Sequence, residues 1–294
     1  MRFYVWKKSQ AVAILLGMML LMVLTGVCIA SMLDGQAEPE SEAVAAFAEA
    51  DLSFVVETPA PVVDTSLRVE IVRSTEPPLL AGKTVLIYHT HTWEAFEQVE
   101  GNRYEETEKW RSKDNRVNMV AVGNALAAAL EVQGCTVVHD ETAFEPPDLS
   151  TAYQRSLVML EARQQAGETY DLYIDLHRDA IASNSTIKRT VNVAGEEVAR
   201  FMVLVGKGQG YDEKPDWEAN MLIAQQLTSS MNGQVEGLCR DIKVKTGRFN
   251  QHIAPRCVLI ECGLNYNTLE EVLAGIPYLA QAIADTLTKE NPGG

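Results

Sequence analysis

KTVLIYHTHTWEAF, residues 83–96, passes within a few positions from an apolar run to a cluster of polar side chains. Val85–Tyr88 is short, apolar and rich in branched residues, the composition of a buried strand, and His89-Thr90-His91-Thr92 follows at once. The chemistry of the chain is therefore expected to begin at a strand end. Downstream, Met119, Val122, Leu126, Ala129 and Leu130 recur at helical spacing, and Gly134 closes that helix before a strand over Thr136–His139. A second helix is predicted over about 153–165, followed by a strand at 171–176 that ends on His177-Arg178-Asp179. Residues 190–193 and 198–205 read as a hairpin around Ala194-Gly195-Glu196-Glu197. A helix over 217–232, an irregular stretch over 233–255, a strand at 256–261 and a last helix over 268–288, with Thr268 as its cap, complete the order. Strands alternating with helices predict an α/β fold: a mainly parallel twisted sheet flanked by helices, with an added hairpin. In such a sheet the functional residues gather beyond the carboxyl ends of the strands.

Composition narrows the function. The chain has 294 residues, 47% hydrophobic and 22% charged, enough for one sizeable domain with accessory segments. Twenty-five basic against forty acidic side chains leave a formal charge of −15, which repels a phosphate backbone and argues against a nucleic-acid partner. Five cysteines without a CxxC pair indicate neither a zinc knuckle nor a disulfide framework. Cys28 lies in an apolar run, and Cys135, Cys257 and Cys262 fall in predicted buried elements.

That apolar run, AVAILLGMMLLMVLTGVCIASML at 11–33, carries no charge for 23 residues, long enough to cross a hydrocarbon core of about 30 Å. Arg2, Lys7 and Lys8 precede it and Asp34, Glu38, Glu40 and Glu42 follow, so residues 1–10 are expected in the cytoplasm and the rest outside. The expectation is a single-pass protein of the cell membrane. A cleaved signal peptide is the rival reading, although its apolar core runs to only about 7–15 residues. Residues 34–80, rich in Glu, Ala and Pro, read as an extracytoplasmic linker with a short strand at 67–72, and residues 81–290 as the catalytic domain.

Three predicted strands end in groups that bind metal or move protons: YHTH at 88–91, DLHRD at 175–179 and LIECG at 259–263. If the first strand continues through the histidines, His89 and His91 point to one side, and with His177 they form an imidazole set for zinc. Whether one or both of the HTH histidines bind is left open. Glu261 follows the apolar run CVLI, where a charge needs a reason. A partly dry pocket raises a carboxyl pKa toward that of a general base; the rival is a structural ion pair with Arg178 or Arg256. Glu94 is a weaker oxygen donor candidate because it lies in an acid-rich stretch, while His139 and His252 read as ordinary core or loop histidines. There is no HExxH, G-x-S-x-G or P-loop, and neither Ser156 nor Ser183 has local support as a nucleophile.

Taken with their neighbours, these strand ends resemble the stage II sporulation protein P family of endospore-forming bacteria. The resemblance covers nearly all of residues 83–288 through VLIYHTHTWEAF (85–96), DNRVNMVAVGNAL (114–126), TAYQRS (151–156), DLHRDA (175–180), RFNQHIAP (248–255) and LIECGLNYNTLEE (259–271). It implies a cell-wall hydrolase with a zinc amidase-like fold, cleaving the amide between muramic-acid lactyl and L-alanine in peptidoglycan, with an added endopeptidase activity. It also implies a role in engulfment alongside the stage II sporulation proteins D and M. By the same resemblance His89, His91 and His177 match metal positions and Glu261 the catalytic glutamate. The wider amidase group has a glutamate ligand at the start of the first helix, where this chain has DNRVN, so Asp114, Asn115 and Asn118 stand beside a second HTH histidine as candidates for the third donor. Arg178 is assigned to peptide-stem carboxylates or an oxyanion. Asn250, Gln251, Asn265 and Asn267 are assigned to substrate hydrogen bonds. The alternatives are an inactive wall-binding scaffold for a partner hydrolase, or a zinc peptidase acting on protein.

Overall fold

The computed structural model describes residues 78–210 and 217–289, within the second of two units, Met1–Ile71 and Val72–Gly294. The expected anchor at 11–33, the strand at 67–72 and nearly all of the linker lie outside the described residues. Among the described residues no helix is long and apolar enough to cross a membrane.

The elements run β1 (Thr84–Tyr88), α1 (Met119–Val132), β2 (Thr136–His139), α2 (Ala152–Gln165), β3 (Leu172–Asp179), β4 (Thr190–Val193), β5 (Glu196–Ala199), β6 (Phe201–Gly206), α3 (Trp217–Gln234), β7 (Lys243–Lys245), β8 (Cys257–Leu264), α4 (Leu269–Leu273) and α5 (Ile276–Thr288). The main sheet has the order β2-β1-β3-β8-β6-β7, parallel throughout except for the antiparallel pair β6–β8. This is the mainly parallel α/β sheet expected from the alternation of strands and helices.

The strands are apolar on both sides, but their two faces differ. Val85 and Ile87, Leu172, Ile174 and Leu176, Val258, Ile260 and Cys262, and Phe201, Val203 and Val205 all face one core. That core is closed by Met119, Val122, Leu126 and Leu130 of α1, Ile223, Ala224, Leu227 and Met231 of α3, and Leu279, Ile283 and Leu287 of α5. Three helices thus cover one face. The alternate residues, Leu86, Tyr88, Tyr173 and Cys257, meet only a small cluster around Leu160 of α2. Because side chains alternate along a strand and directly paired residues share a face, Asp175, His177, Glu261 and Met202 belong to this thinly covered side.

Several boundaries move from those expected, for local reasons. The strands β3 and β8 run on to Asp179 and Leu264, so His177 and Glu261 stand within strands as a paired residue couple. Between the pairs His177↔Glu261 and Asp179↔Leu264, β8 holds one residue more than β3, and Gly263 takes φ 73° there. The expected single hairpin divides at Arg200: β4 and β5 pair only with each other, around Ala194 and Gly195 at φ 54° and 98°, while β6 joins the main sheet. The last helix is broken into α4 and α5. Thr268 and Glu271 close a capping box at the start of α4, and Gly275 stands so close to Phe201 that an added Cβ would come within 2.3 Å of the ring. Gly134 ends α1 at φ 90°, and Asn118 caps its start by accepting from Val120 N at 2.9 Å. Cys135, Cys239, Cys257 and Cys262 are free and buried.

Candidate active site

The HTHT segment is not a continuation of β1. The strand stops at Tyr88 and the chain turns, because Thr90 is drawn to a carboxylate on the neighbouring strand: its backbone N–H donates to Asp175 Oδ1 at 2.8 Å and its hydroxyl to Asp175 Oδ2 at 2.7 Å. Thr92 braces the turn, its hydroxyl donating to His89 O at 2.9 Å and Thr142 O at 3.0 Å. The condition for His89 and His91 to share a side, an unbroken strand, does not hold.

The two histidines accordingly have different surroundings. His89 is fully buried, with Nδ1 3.2 Å from Leu176 O and Nε2 2.8 Å from Nε2 of His139. With the Nδ1 proton donated to the carbonyl, Nε2 of His89 accepts from His139. Burial, and next the neighbouring His139, lower the His89 pKa to about 3. Gly123 makes room for the pair, since a Cβ there would come within 2.3 Å of His139 and 2.7 Å of His89. His139, assigned an ordinary role from sequence, is thus the partner of a candidate ligand. The apposition of residues 89 and 139 arises from strand pairing and has no local sequence signal.

His91 faces the other way, its ring perpendicular to that of His177 with centroids 5.2 Å apart. Burial, and then His177, lower its pKa to about 4. His177 is only 4% exposed and lies between two carboxylates. Its Nε2 stands 2.9 Å from Asp175 Oδ1, short of hydrogen-bond alignment, and its Nδ1 stands 3.5 Å from Glu94 Oε2. Burial would lower the His177 pKa, but the charges of Asp175 and then Glu94 outweigh it and hold the imidazole well above its ordinary value. Tyr153 stacks on the same ring, 9° from parallel at 6.2 Å.

Glu94, a weaker oxygen-donor candidate by sequence because of its acidic neighbours, is the carboxylate that enters the cluster. It accepts from the backbone N–H of Arg178 at 3.0 Å, and its pKa is held at about 2: burial acts upward, but His177 and Arg178 overcome it. The other acids of that stretch remain largely at the surface. The spacing His91-x-x-Glu94 was the available signal, and the backbone bridge of Glu94 to Arg111 is what turns it inward. Beside it, Glu145 is buried, paired with Arg111 and 3.8 Å from His91 Nδ1.

Glu261 is 9% exposed, and its Oε2 has no hydrogen-bond partner among the described residues. Burial raises its pKa to about 7, against the opposing charge of His177. A carboxyl in that state can take up and release a proton near neutrality.

Asp114 lies at the surface in a two-pronged pair with Arg116, Asn115 hydrogen-bonds Asn118, and Asn118 serves as the cap of α1. Arg178 is buried beside Glu94, with Nη2 donating to Trp110 O at 3.1 Å and Nε lacking a hydrogen-bond partner among the described residues. Asn250 donates to Tyr153 O and Ser156 Oγ, and Gln251 bridges the β6 backbone at Gly206 N and Leu204 O. Asn265 clasps Ile181 through both N–H and C=O, and Asn267 joins Leu264 N to Glu271. Each of these four amides has protein partners.

Among the described residues no group of three or more His, Cys, Asp or Glu side chains is arranged as a metal cage. The donor chemistry nevertheless fits zinc: two imidazoles, His91 and His177, stand beside the carboxylate Glu94, which faces His177 Nδ1, and among the described residues His91 Nδ1 and Glu261 Oε2 are buried without a hydrogen bond.

Fold and site together define an α/β protein with a buried histidine–carboxylate cluster on the thinly covered face of a mainly parallel sheet. The model of the stage II sporulation protein P family matches residues 59–284, and the chain belongs to that family. No curated protein matches it. Among solved structures it is similar to the N-acetylmuramyl-L-alanine amidase Ami1 from Mycobacterium smegmatis, at 14% identity and TM-score 0.44, over 71% of this chain and 98% of that one. It is likewise similar to an N-acetylmuramoyl-L-alanine amidase from Clostridium difficile 630, at 15% identity and TM-score 0.43, over 69% and 94%. A third is the catalytic domain of CwlV, an N-acetylmuramoyl-L-alanine amidase from Bacillus (Paenibacillus) polymyxa var. colistinus, at 15% and 0.43, over 70% and 96%.

Proposed function

We propose that the protein is a peptidoglycan hydrolase of sporulation, an N-acetylmuramoyl-L-alanine amidase with endopeptidase action on peptide cross-links, held outside the cell membrane by residues 11–33 and working with the stage II sporulation proteins D and M during engulfment. The observation that carries the catalytic part is Glu261: a buried carboxyl, raised by burial to a pKa of about 7, with a free oxygen and paired across β3–β8 with His177. Membership of the family supports the setting.

In this reading His91, His177 and Glu94 hold a zinc ion, and His89 supports them from behind through His139 and Leu176 O rather than binding metal itself. Zinc bound there supplies a Lewis acid that polarises the scissile carbonyl and makes water more acidic. Glu261 takes a proton from the attacking water at Oε2 and returns it to the leaving nitrogen, so that the amine departs neutral. Asp175, fixed by both donors of Thr90, orients the His177 ring from its Nε2 side. Tyr153 holds the plane of that ring by stacking.

The test is incubation of the full chain with purified peptidoglycan, with mass spectrometry of the products. Free glycan strands and intact stem peptides are expected, with loss of release on chelation and recovery on adding zinc. Wall binding without release of amine, combined with undiminished biological activity of Glu261→Gln, replaces the hydrolase by a scaffold. Cleavage confined to protein substrates replaces it by a peptidase.

A further inference from the structure

In a chain with net charge −15, a concentration of basic side chains has to be explained. An open groove of about 770 Å³ at the β6–β7 edge of the sheet is lined by Lys188, Arg200, Arg240 and Lys243. Glu236 and Asp241 also line it, but both are exposed, and among the described residues neither forms an ion pair with those four bases.

The two arginines are short of acceptors. Among the described residues Arg200 donates to carbonyls, from Nε to Gly237 O at 2.6 Å and from Nη1 to Lys188 O at 3.4 Å. Burial, and next the charge of Arg240, lower its pKa below the ordinary arginine value, against the smaller opposing charge of Asp241. Arg240 meets Asp179 Oδ2 through Nη1 at 2.9 Å, while its Nε and Nη2 are buried with no hydrogen-bond partner among the described residues. Those two nitrogens form one edge of the guanidinium fork, the edge that a carboxylate accepts with two parallel hydrogen bonds.

The groove opens at the sheet edge and reaches the side that carries the site, while Cys239 of its lining packs into the opposite core. Met202, part of its lining, is the β6 partner of Glu261, and Asp179 stands two residues beyond His177 on β3. The charge of Arg240 also reaches Glu261, opposing the burial that raises its pKa.

We propose that this groove is an anion subsite that binds a free carboxylate on the peptide side of the substrate and so sets which way the scissile amide lies across Glu261. The identity of the peptide rests on the wall-hydrolase reading above; the preference for a carboxylate rests on the groove alone. A glycan strand offers mainly hydroxyls and neutral amides, whereas a stem peptide carries free carboxylates, so the peptide end is the one the four bases attract. The arginine task assigned to Arg178 from sequence is thereby shared with Arg240 and Arg200, which line the groove.

Binding tests this without turnover. The full chain is titrated calorimetrically with a soluble stem tripeptide bearing free carboxylates, and with the same peptide after conversion of those carboxylates to amides. The acid binds about tenfold tighter or more, and rising salt weakens that preference. The preference shrinks in a Lys188→Gln/Lys243→Gln protein, in which only exposed side chains change, and falls further when Arg200→Gln is added. Equal affinity for acid and amide, including no measurable binding of either, overturns the proposal, as does a preference unchanged in the triple variant. Wall cleavage measured in parallel separates the two readings. Acid preference without cleavage keeps the subsite and removes the hydrolase, and cleavage without acid preference does the reverse.

Discussion

The two faces of the one sheet are built from the same strands and serve opposite ends. On one, Phe201, Val203, Ile260 and their neighbours are sealed by α1, α3 and α5, and every alternate residue is apolar. On the other, the same strands present Asp175, His177 and Glu261, all buried, with an oxygen of Glu261 and a ring nitrogen of His177 lacking a hydrogen bond among the described residues, under the cover of α2 and loops. Apolar burial supplies a large part of the free energy of folding, so the sealed face can support the cost of charges kept partly dry on the other. Stability and chemistry are thus separated by the period-two alternation of β3 and β8.

That separation can be broken from either side. On the chemical face, Glu261→Gln is expected to lower the rate of amide release by about 10²–10⁴-fold. Its denaturation midpoint does not fall, because an amide replaces a carboxyl that burial already disfavours as an ion; a fall in stability matching the loss of rate would dissolve the distinction. On the sealed face, Phe201→Ala opens a cavity against Gly275 and costs about 3–5 kcal/mol in urea denaturation, with the rate per folded molecule retained. A smaller effect falls at the edge of that face: Asn118→Ala removes the cap of α1 and costs about 1 kcal/mol. Because Asn118 caps a helix in this structure, the loss is expected in the melting curve and not in zinc content measured by atomic absorption.

The effect that is smallest near neutrality concerns pH. His89 titrates at about 3 in the folded protein against an ordinary value of 6.5, so between those values the unfolded chain binds the extra proton and stability falls as pH falls. From pH 7 to pH 6 the loss from this group is about 0.7 kcal/mol, growing toward pH 3. His89→Gln flattens the stability profile over that interval, as denaturant midpoints at successive pH values would show. A profile unchanged by the substitution would place His89 in water, at odds with its burial behind the cluster.

Much of this arrangement is legible in the chain. The strand at Val85–Tyr88, the helix closed by Gly134 and the cap at Thr268 follow from side-chain chemistry acting over a few residues, and the structure has them where the sequence puts them. The same local patterning places His177 and Glu261 at the ends of apolar runs, because a strand interior excludes charge wherever nothing repays it. What the chain does not disclose locally is direction. His89 and His91 diverge because Thr90 bonds Asp175, 85 positions away, and Glu94 turns inward because its backbone bridges Arg111 and its side chain meets the N–H of Arg178, 84 positions away. The His139 contact and the arginine groove have the same origin in strands brought side by side. Periodicity reports burial, which each residue carries in its own side chain; the orientation of a polar group depends on partners that only the closed sheet supplies.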